Sequence, residues 1–251
     1  MRHATVMRGD AAVLSDFHLT IGVGEHVAIL GPNGCGKSTL IRTLTRDLYP
    51  VWKPETVVRI LGRDKWDLTE LRSMLGIVPS TIPALSIMVT GREMVLAGFF
   101  SAWGIWPNHF VTPEMRWRAD ELLERLGVGH LADRDFEELS SGETRRLLIA
   151  RALVQEPKAL LLDEPSTSLD LFAQHELRQT MSLLAASGTG IVLITHHLSD
   201  IIPEIERVVM MKGGRITRDG AKLDLLTQSQ LEELFGVPVT LTQRDGYYHA
   251  V

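Results

Sequence analysis

Nine consecutive residues, Gly31, Pro32, Asn33, Gly34, Cys35, Gly36, Lys37, Ser38 and Thr39, contain a GxxxxGK[ST] pattern in the first eight. It follows a short apolar run and opens a helical pattern, the context in which such a loop cradles phosphate. Glycines let backbone N–H groups close around phosphate oxygens, and the helix that follows presents its positive end. Lys37 has the reach and charge to bridge β- and γ-phosphates, and the Ser38 hydroxyl to hold Mg²⁺. Cys35 occupies a variable position of the loop, and its thiol is assigned no chemistry. A glycine-rich turn capped by Ser38 is the bland alternative.

Three further segments carry chemistry at strand or helix ends. Leu160-Leu161-Leu162-Asp163-Glu164-Pro165 puts two carboxylates after an apolar strand. Ligands of parallel sheets bind at the carboxyl ends of strands, so Asp163 is placed to hold Mg²⁺ and Glu164 to polarise an attacking water. The same pair can be an ordinary turn into a helix. Ile194-Thr195-His196-His197 closes another apolar strand. His196 is the candidate phosphate contact, and His197 is read as structural. Leu139-Ser140-Ser141-Gly142-Glu143 precedes an apolar helix, and Ser140-x-x-Glu143 is also a capping box.

The elements that must position these groups follow from hydrophobic patterning. Val27–Leu30, Ala159–Leu162, Ile191–Ile194 and Val208–Met211 are short runs of consecutive apolar residues, as in strands covered on both faces. Helical patterns at Ser38–Arg46, Arg145–Val154 and Leu171–Ala186 alternate with them. That alternation predicts an α/β core with a parallel sheet. Residues 1–24 and 51–62, with HLTIGVG and TVVRILG, are expected to be strands of a small accessory sheet. Between about Pro83 and Leu139 the pattern is helical, with helices expected at Gly91–Phe100 and Arg116–Leu126. The expected organisation is one domain, 1–251. Its core and β-subdomain comprise 1–82 and 156–251, with a helical subdomain at about 83–155. A short helix at Ser229–Phe235 and a polar tail close the chain.

Of 251 residues, 45% are hydrophobic and 23% charged, with net charge −5 and no Lys/Arg block, which disfavours general nucleic-acid binding. One cysteine excludes an internal disulfide. The N-terminus has no apolar core of signal-peptide type. Met94–Pro113 contains no charged residue, yet its apolar part ends at Trp106, before Pro107, Asn108, His109 and Thr112. A spanning helix would bury those groups in lipid. The expectation is a soluble chain in which Phe99, Phe100, Trp103 and Trp106 either face a partner or pack within the helical region.

Phosphate loop, LSSGE segment, acidic strand, Ser168-Leu169-Asp170 and histidine occur in an order that resembles the ABC ATPase family over essentially the whole chain. The resemblance implies a P-loop NTPase core with a small antiparallel β-subdomain and a helical signature subdomain. It implies ATP and Mg²⁺ as ligands and hydrolysis of ATP in a homodimer closed by ATP. Ser140 and Gly142 would contact the γ-phosphate held by the opposite copy, and Asp170 would belong to the D-loop linking the two sites. Glu164 matches the family's general base and His196 its switch histidine. Ser80 stands where the family usually has a glutamine; its hydroxyl can enter the metal shell with a shorter reach. Arg8 stands near the usual adenine-stacking aromatic and can cover the base by cation–π contact. Ser141 and Glu143 replace the glycine and glutamine of LSGGQ.

LGIVPS, VTGREMVLAGFF, LSSGE and ITHHLSDIIPEI further resemble ATPases of molybdenum or iron-complex uptake and of photorepair type. That likeness implies transmembrane permease partners and a peripheral position on the cytoplasmic face of a membrane. A soluble ABC ATPase without a transporter, and a binding module without turnover, are the alternatives.

Overall fold

The structure, a computed structural model, describes residues 1–84 and 88–250; the expected helical region crosses 85–87, which lie outside the described residues. The first third of the chain forms β1 (Ala4–Arg8), β2 (Ala11–Phe17), β3 (Val27–Leu30), α1 (Lys37–Leu44), α2 (Leu68–Met74) and β4 (Leu75–Val78). Next come α3 (Gly91–Ala97), α4 (Pro113–Arg125), α5 (Ser141–Leu153), β5 (Ala159–Asp163) and α6 (Leu171–Ala186). The chain closes with β6 (Gly190–Thr195), β7 (Arg207–Lys212), β8 (Arg215–Ala221), α7 (Lys222–Leu225), α8 (Gln228–Phe235), β9 (Leu241–Arg244) and β10 (Tyr247–Ala250). Two compact units result, residues 1–68 with 190–251, and residues 69–189.

In the first unit β6, β3 and β7 run parallel, and β8 returns antiparallel to β7. Every residue of β3 and β6 is buried, which is why both read as unbroken apolar runs. Gly213 and Gly214, both at positive φ, make the β7–β8 turn. β1 and β2 pair as a separate antiparallel hairpin.

Of the expected accessory strands, those within 1–24 occur as the β1–β2 hairpin, whereas HLTIGVG and TVVRILG form no strand. Gly22 to Glu25 is a turn, closed by the Gly22 N–H donating to the Glu25 carboxylate at 2.6 Å. Val57 and Ile60 make only isolated bridges, because Leu61 and Gly62 at positive φ fold the chain back onto Arg63. The tail is not irregular. Asp245-Gly246, both at positive φ, joins β9 to β10, and buried Tyr248 belongs to a strand packed on the turn at Leu198–Asp200.

In the second unit β4 and β5 are parallel, with α5 laid on β4. A Cβ at Gly76 would meet the Ala152 carbonyl at 2.6 Å, so only glycine permits that approach. Helices α3, α4 and α5 pack together, and caps set their starts: Thr90 with Glu93 for α3, and Thr112 with Pro113 for α4. Phe99, Phe100 and Trp103 are half-buried, and Trp106 is 43% exposed. Arg151 lies over the Trp103 ring at 4.2 Å and donates to the Ala102 carbonyl; burial lowers its pKa to about 10. Trp103 is therefore engaged within its own unit, while Trp106 stays exposed. Among the described residues, no helix is long and apolar enough to cross a membrane.

Candidate nucleotide site

In the first unit the phosphate loop leaves the carboxyl end of β3 and the histidine pair leaves that of β6. Leu30 stands opposite Thr195 in the parallel register, so Gly31 and His196 both begin just past the same level of the sheet. The loop is cramped by design of its residues. A Cβ at Gly31 would meet the Met211 carbonyl at 2.3 Å and Cys35 Sγ at 2.8 Å. Gly36 has φ +108°, and a Cβ there would lie 2.9 Å from Leu14. Gly214 braces the loop from behind, donating to the Cys35 carbonyl at 3.0 Å and accepting from Ser15.

Lys37 is buried, and its ammonium donates to the carbonyls of Gly31 at 2.6 Å and Pro32 at 3.2 Å. These bonds curl the side chain back along the loop and hold its charge at the mouth. Gly36 as N-cap supplies no side-chain hydrogen bond to α1, and the first turn of that helix carries no acidic residue. Leading N–H groups without a side-chain cap, a fixed cation and a glycine cradle fit a polyphosphate anion. Ser38 is exposed in that first turn, and Asn33 and Gly34 are exposed at the loop's tip.

Beyond β6, the Thr195 hydroxyl donates to Asp200 at 2.9 Å and accepts the His197 N–H at 2.9 Å. That clasp fixes the turn from which His196, half-buried, and His197, exposed, project with ring centroids 3.9 Å apart. Arg8 is exposed at the turn end of the β1–β2 hairpin, paired with Ala11. The hairpin reaches the phosphate loop through Val13 and Leu14 rather than through Arg8.

In the second unit the parallel register sets Val78 beside Leu162, so the segments after β4 and β5 emerge together. The Ser80 hydroxyl accordingly donates to buried Asp163 at 3.0 Å. Arg145 from α5 donates to the Pro79 carbonyl at 2.7 Å and pins that segment. Glu164 is half-buried with φ +47°, an uncommon backbone for glutamate that sharply turns the chain at the strand end. A carboxylate and a hydroxyl in contact are hard oxygen donors suited to Mg²⁺.

The same unit brings the LSSGE segment against Ser168–Asp170. Ser140 caps α5 in a complete capping box with Glu143, and Asp170 caps α6 by accepting the Ala173 N–H at 2.8 Å. The backbone N–H of Ser140, followed by its hydroxyl, holds the Glu143 carboxyl below the usual range. The Ser141 hydroxyl donates to the Ser168 carbonyl at 3.1 Å, and a Cβ at Gly142 would press on Ala173 at 2.8 Å. A cleft of about 410 Å³ opens here, lined among others by Ser140, Gly142, Arg146, Asp170 and Phe172.

Sequence reasoning missed the Ser141–Ser168 bond, the Arg145 tether and the brace of Gly214. Only the last had a visible signal, the Gly213-Gly214 pair after an apolar run.

Comparison with known proteins gives the family of the chain. Residues 14–167 match the family model described as ABC transporter. The hemin import ATP-binding protein HmuV of Bradyrhizobium diazoefficiens is 34% identical, over 98% of this chain and 91% of its own. Among solved structures, an inward-facing putative metal-chelate type ABC transporter has a TM-score of 0.79 at 26% identity, covering 100% of this chain and 94% of its own. The ATP-binding cassette MJ0796, solved as a post-hydrolysis dimer bound to ADP and phosphate, has a TM-score of 0.72 at 26% identity over 88% of this chain and 97% of its own. The chain belongs to the ABC transporter family, as an ATP-binding, ATP-hydrolysing subunit of the importer type.

Proposed function

We propose that this ATPase drives import of an iron complex of the haem class. The observation that carries the substrate class is the near full-length similarity to a hemin import ATPase. The chain acts as a homodimer with nucleotide between its copies, as the dimeric cassette relative supports, and docks on permease subunits at the cytoplasmic face of a membrane. Molybdate is the other substrate class that the sequence motifs suggest.

In this reading Lys37 and the N–H groups of Gly34 to Thr39 bind the β- and γ-phosphates. The family resemblance gives Ser38 and Asp163 as the residues that would hold Mg²⁺, and Ser80 acts on Asp163 through its hydrogen bond. Bound there, Mg²⁺ neutralises charge on the phosphate oxygens. Glu164 accepts a proton from the attacking water, and His196 steadies the γ-phosphate. Ser140 and Gly142, at the positive end of α5, complete the site of the opposite copy, and Asp170 holds the adjoining turn.

The test is ATP-driven uptake by proteoliposomes containing the chain with its permease. Uptake of haemin but not molybdate supports the proposal. Molybdate uptake without haemin overturns the substrate class. Full ATPase activity with no binding to any permease favours a soluble ATPase with another partner.

A further inference from the structure

Outside the nucleotide site, His3, Asp16 and His18 offer three ligand atoms within 4.8 Å of one another. His3 Nδ1 lies 2.9 Å and His18 Nε2 3.1 Å from the same oxygen, Asp16 Oδ1. The two imidazoles meet edge to face, with centroids 4.3 Å apart. Bonds of roughly 2.0–2.1 Å to a tetrahedral zinc ion place neighbouring ligand atoms about 3.3 Å apart. Both nitrogen-to-oxygen spacings need to open only slightly to admit such an ion.

The cluster is built on fixed backbone. His3 and Asp16 both sit at φ +48°, a strained region for residues other than glycine. His3 is held by Thr56, whose hydroxyl donates to its carbonyl at 2.9 Å, and by the paired bonds of Arg2 with Val57. The Asp16 N–H donates to Thr5 Oγ1, and His18 stands between buried Phe17 and Leu19. The β1–β2 pairing is irregular between Ala4 and Val6, beside His3. Two imidazoles and one carboxylate are a donor set suited to zinc and nickel rather than to Mg²⁺.

We propose that His3, Asp16 and His18 form a surface site for a divalent transition-metal ion of the zinc class. The ion clips the start of β1 to the end of β2 and leaves its remaining position to water or an external ligand.

The experiment is calorimetric titration of the untagged, full-length, nucleotide-free protein with ZnCl₂ alone, in excess Mg²⁺. One ion should bind per chain at micromolar zinc, and the melting temperature should rise with zinc. Loss of a second-sphere partner already weakens metal sites roughly 10- to 100-fold, so H18A and D16N should each weaken binding at least about tenfold. H196A, which alters the other histidine pair, should bind as the wild type does. No zinc uptake by the wild type, uptake unchanged in both H18A and D16N, or uptake lost in H196A would each overturn the site.

Discussion

The hydroxyl of Ser80 rests on the carboxylate of Asp163 at 3.0 Å, joining two residues 83 positions apart. This bond gives Ser80 a role at the position where the family resemblance implies a longer amide. It orients Asp163 directly, a task that needs little reach. Hydrogen bonds to charged groups contribute about 1.5–3 kcal/mol. Ser80→Ala should therefore raise the Mg²⁺ concentration for half-maximal ATPase activity roughly tenfold, and titration of turnover against Mg²⁺ checks it. Unchanged Mg²⁺ dependence would remove Ser80 from the metal shell.

Lys37 is held by two loop carbonyls and buried, so its charge is pre-organised for phosphate. Lys37→Ala removes charge-assisted bonds and should weaken ATP binding by at least about a hundredfold, roughly 3 kcal/mol. Equilibrium binding of a fluorescent ATP analogue reads this directly. Wild-type affinity in a folded variant would misplace the site.

Glu164 leaves its strand on a left-handed backbone that glutamine can share, so Glu164→Gln changes chemistry more than shape. Loss of a general base should slow hydrolysis by about 10²–10⁴-fold while ATP still binds. Light scattering should then find dimers that persist in ATP–Mg²⁺. A variant that stays monomeric in saturating ATP would count against the sandwich arrangement.

Ser141, set by the family resemblance at a signature position where glycine is usual, donates to the Ser168 carbonyl at 3.1 Å. Ser141→Gly should cost about 1 kcal/mol, or roughly 2–4 °C in melting temperature for a chain of this size. Turnover should fall further than stability accounts for, because Ser168, at φ +67°, precedes Asp170. Equal ATPase rates in the two proteins would leave the bond a purely stabilising one.

Glu143 supplies a pH dependence. Its carboxyl is more acidic folded than unfolded, held so by the Ser140 N–H and hydroxyl. The stabilisation is complete above the ordinary value of 4.5 and is lost as pH falls through the lower folded value. Glu143→Gln should flatten the acid limb of a stability–pH curve below about pH 4.5 and leave its neutral limb parallel. An acid limb identical in slope to the wild type's would show that the capping carboxylate does not report on folding.

The sequence alone determined the local pieces. The helix expected at Leu171–Ala186 and the strand at Val27–Leu30 occur with those bounds, because apolar periodicity and caps act within one element. The glycine loop, the acidic pair and the histidine pair were legible for the same reason: each is a contiguous string at an element's end. The tertiary structure decided what those ends meet. Parallel registers set Leu30 beside Thr195 and Val78 beside Leu162, and so united Ser80 with Asp163. It also refused sheet pairing to HLTIGVG, where Gly22 to Glu25 closes a turn, and made a hairpin of the tail around Asp245-Gly246. It gathered His3 from just before β1 with Asp16 and His18 from the end of β2 and just past it, a spacing that announces nothing. Strand partners, and any cluster spread over them, depend on which backbone groups find each other across a fold, and a linear pattern does not carry that information.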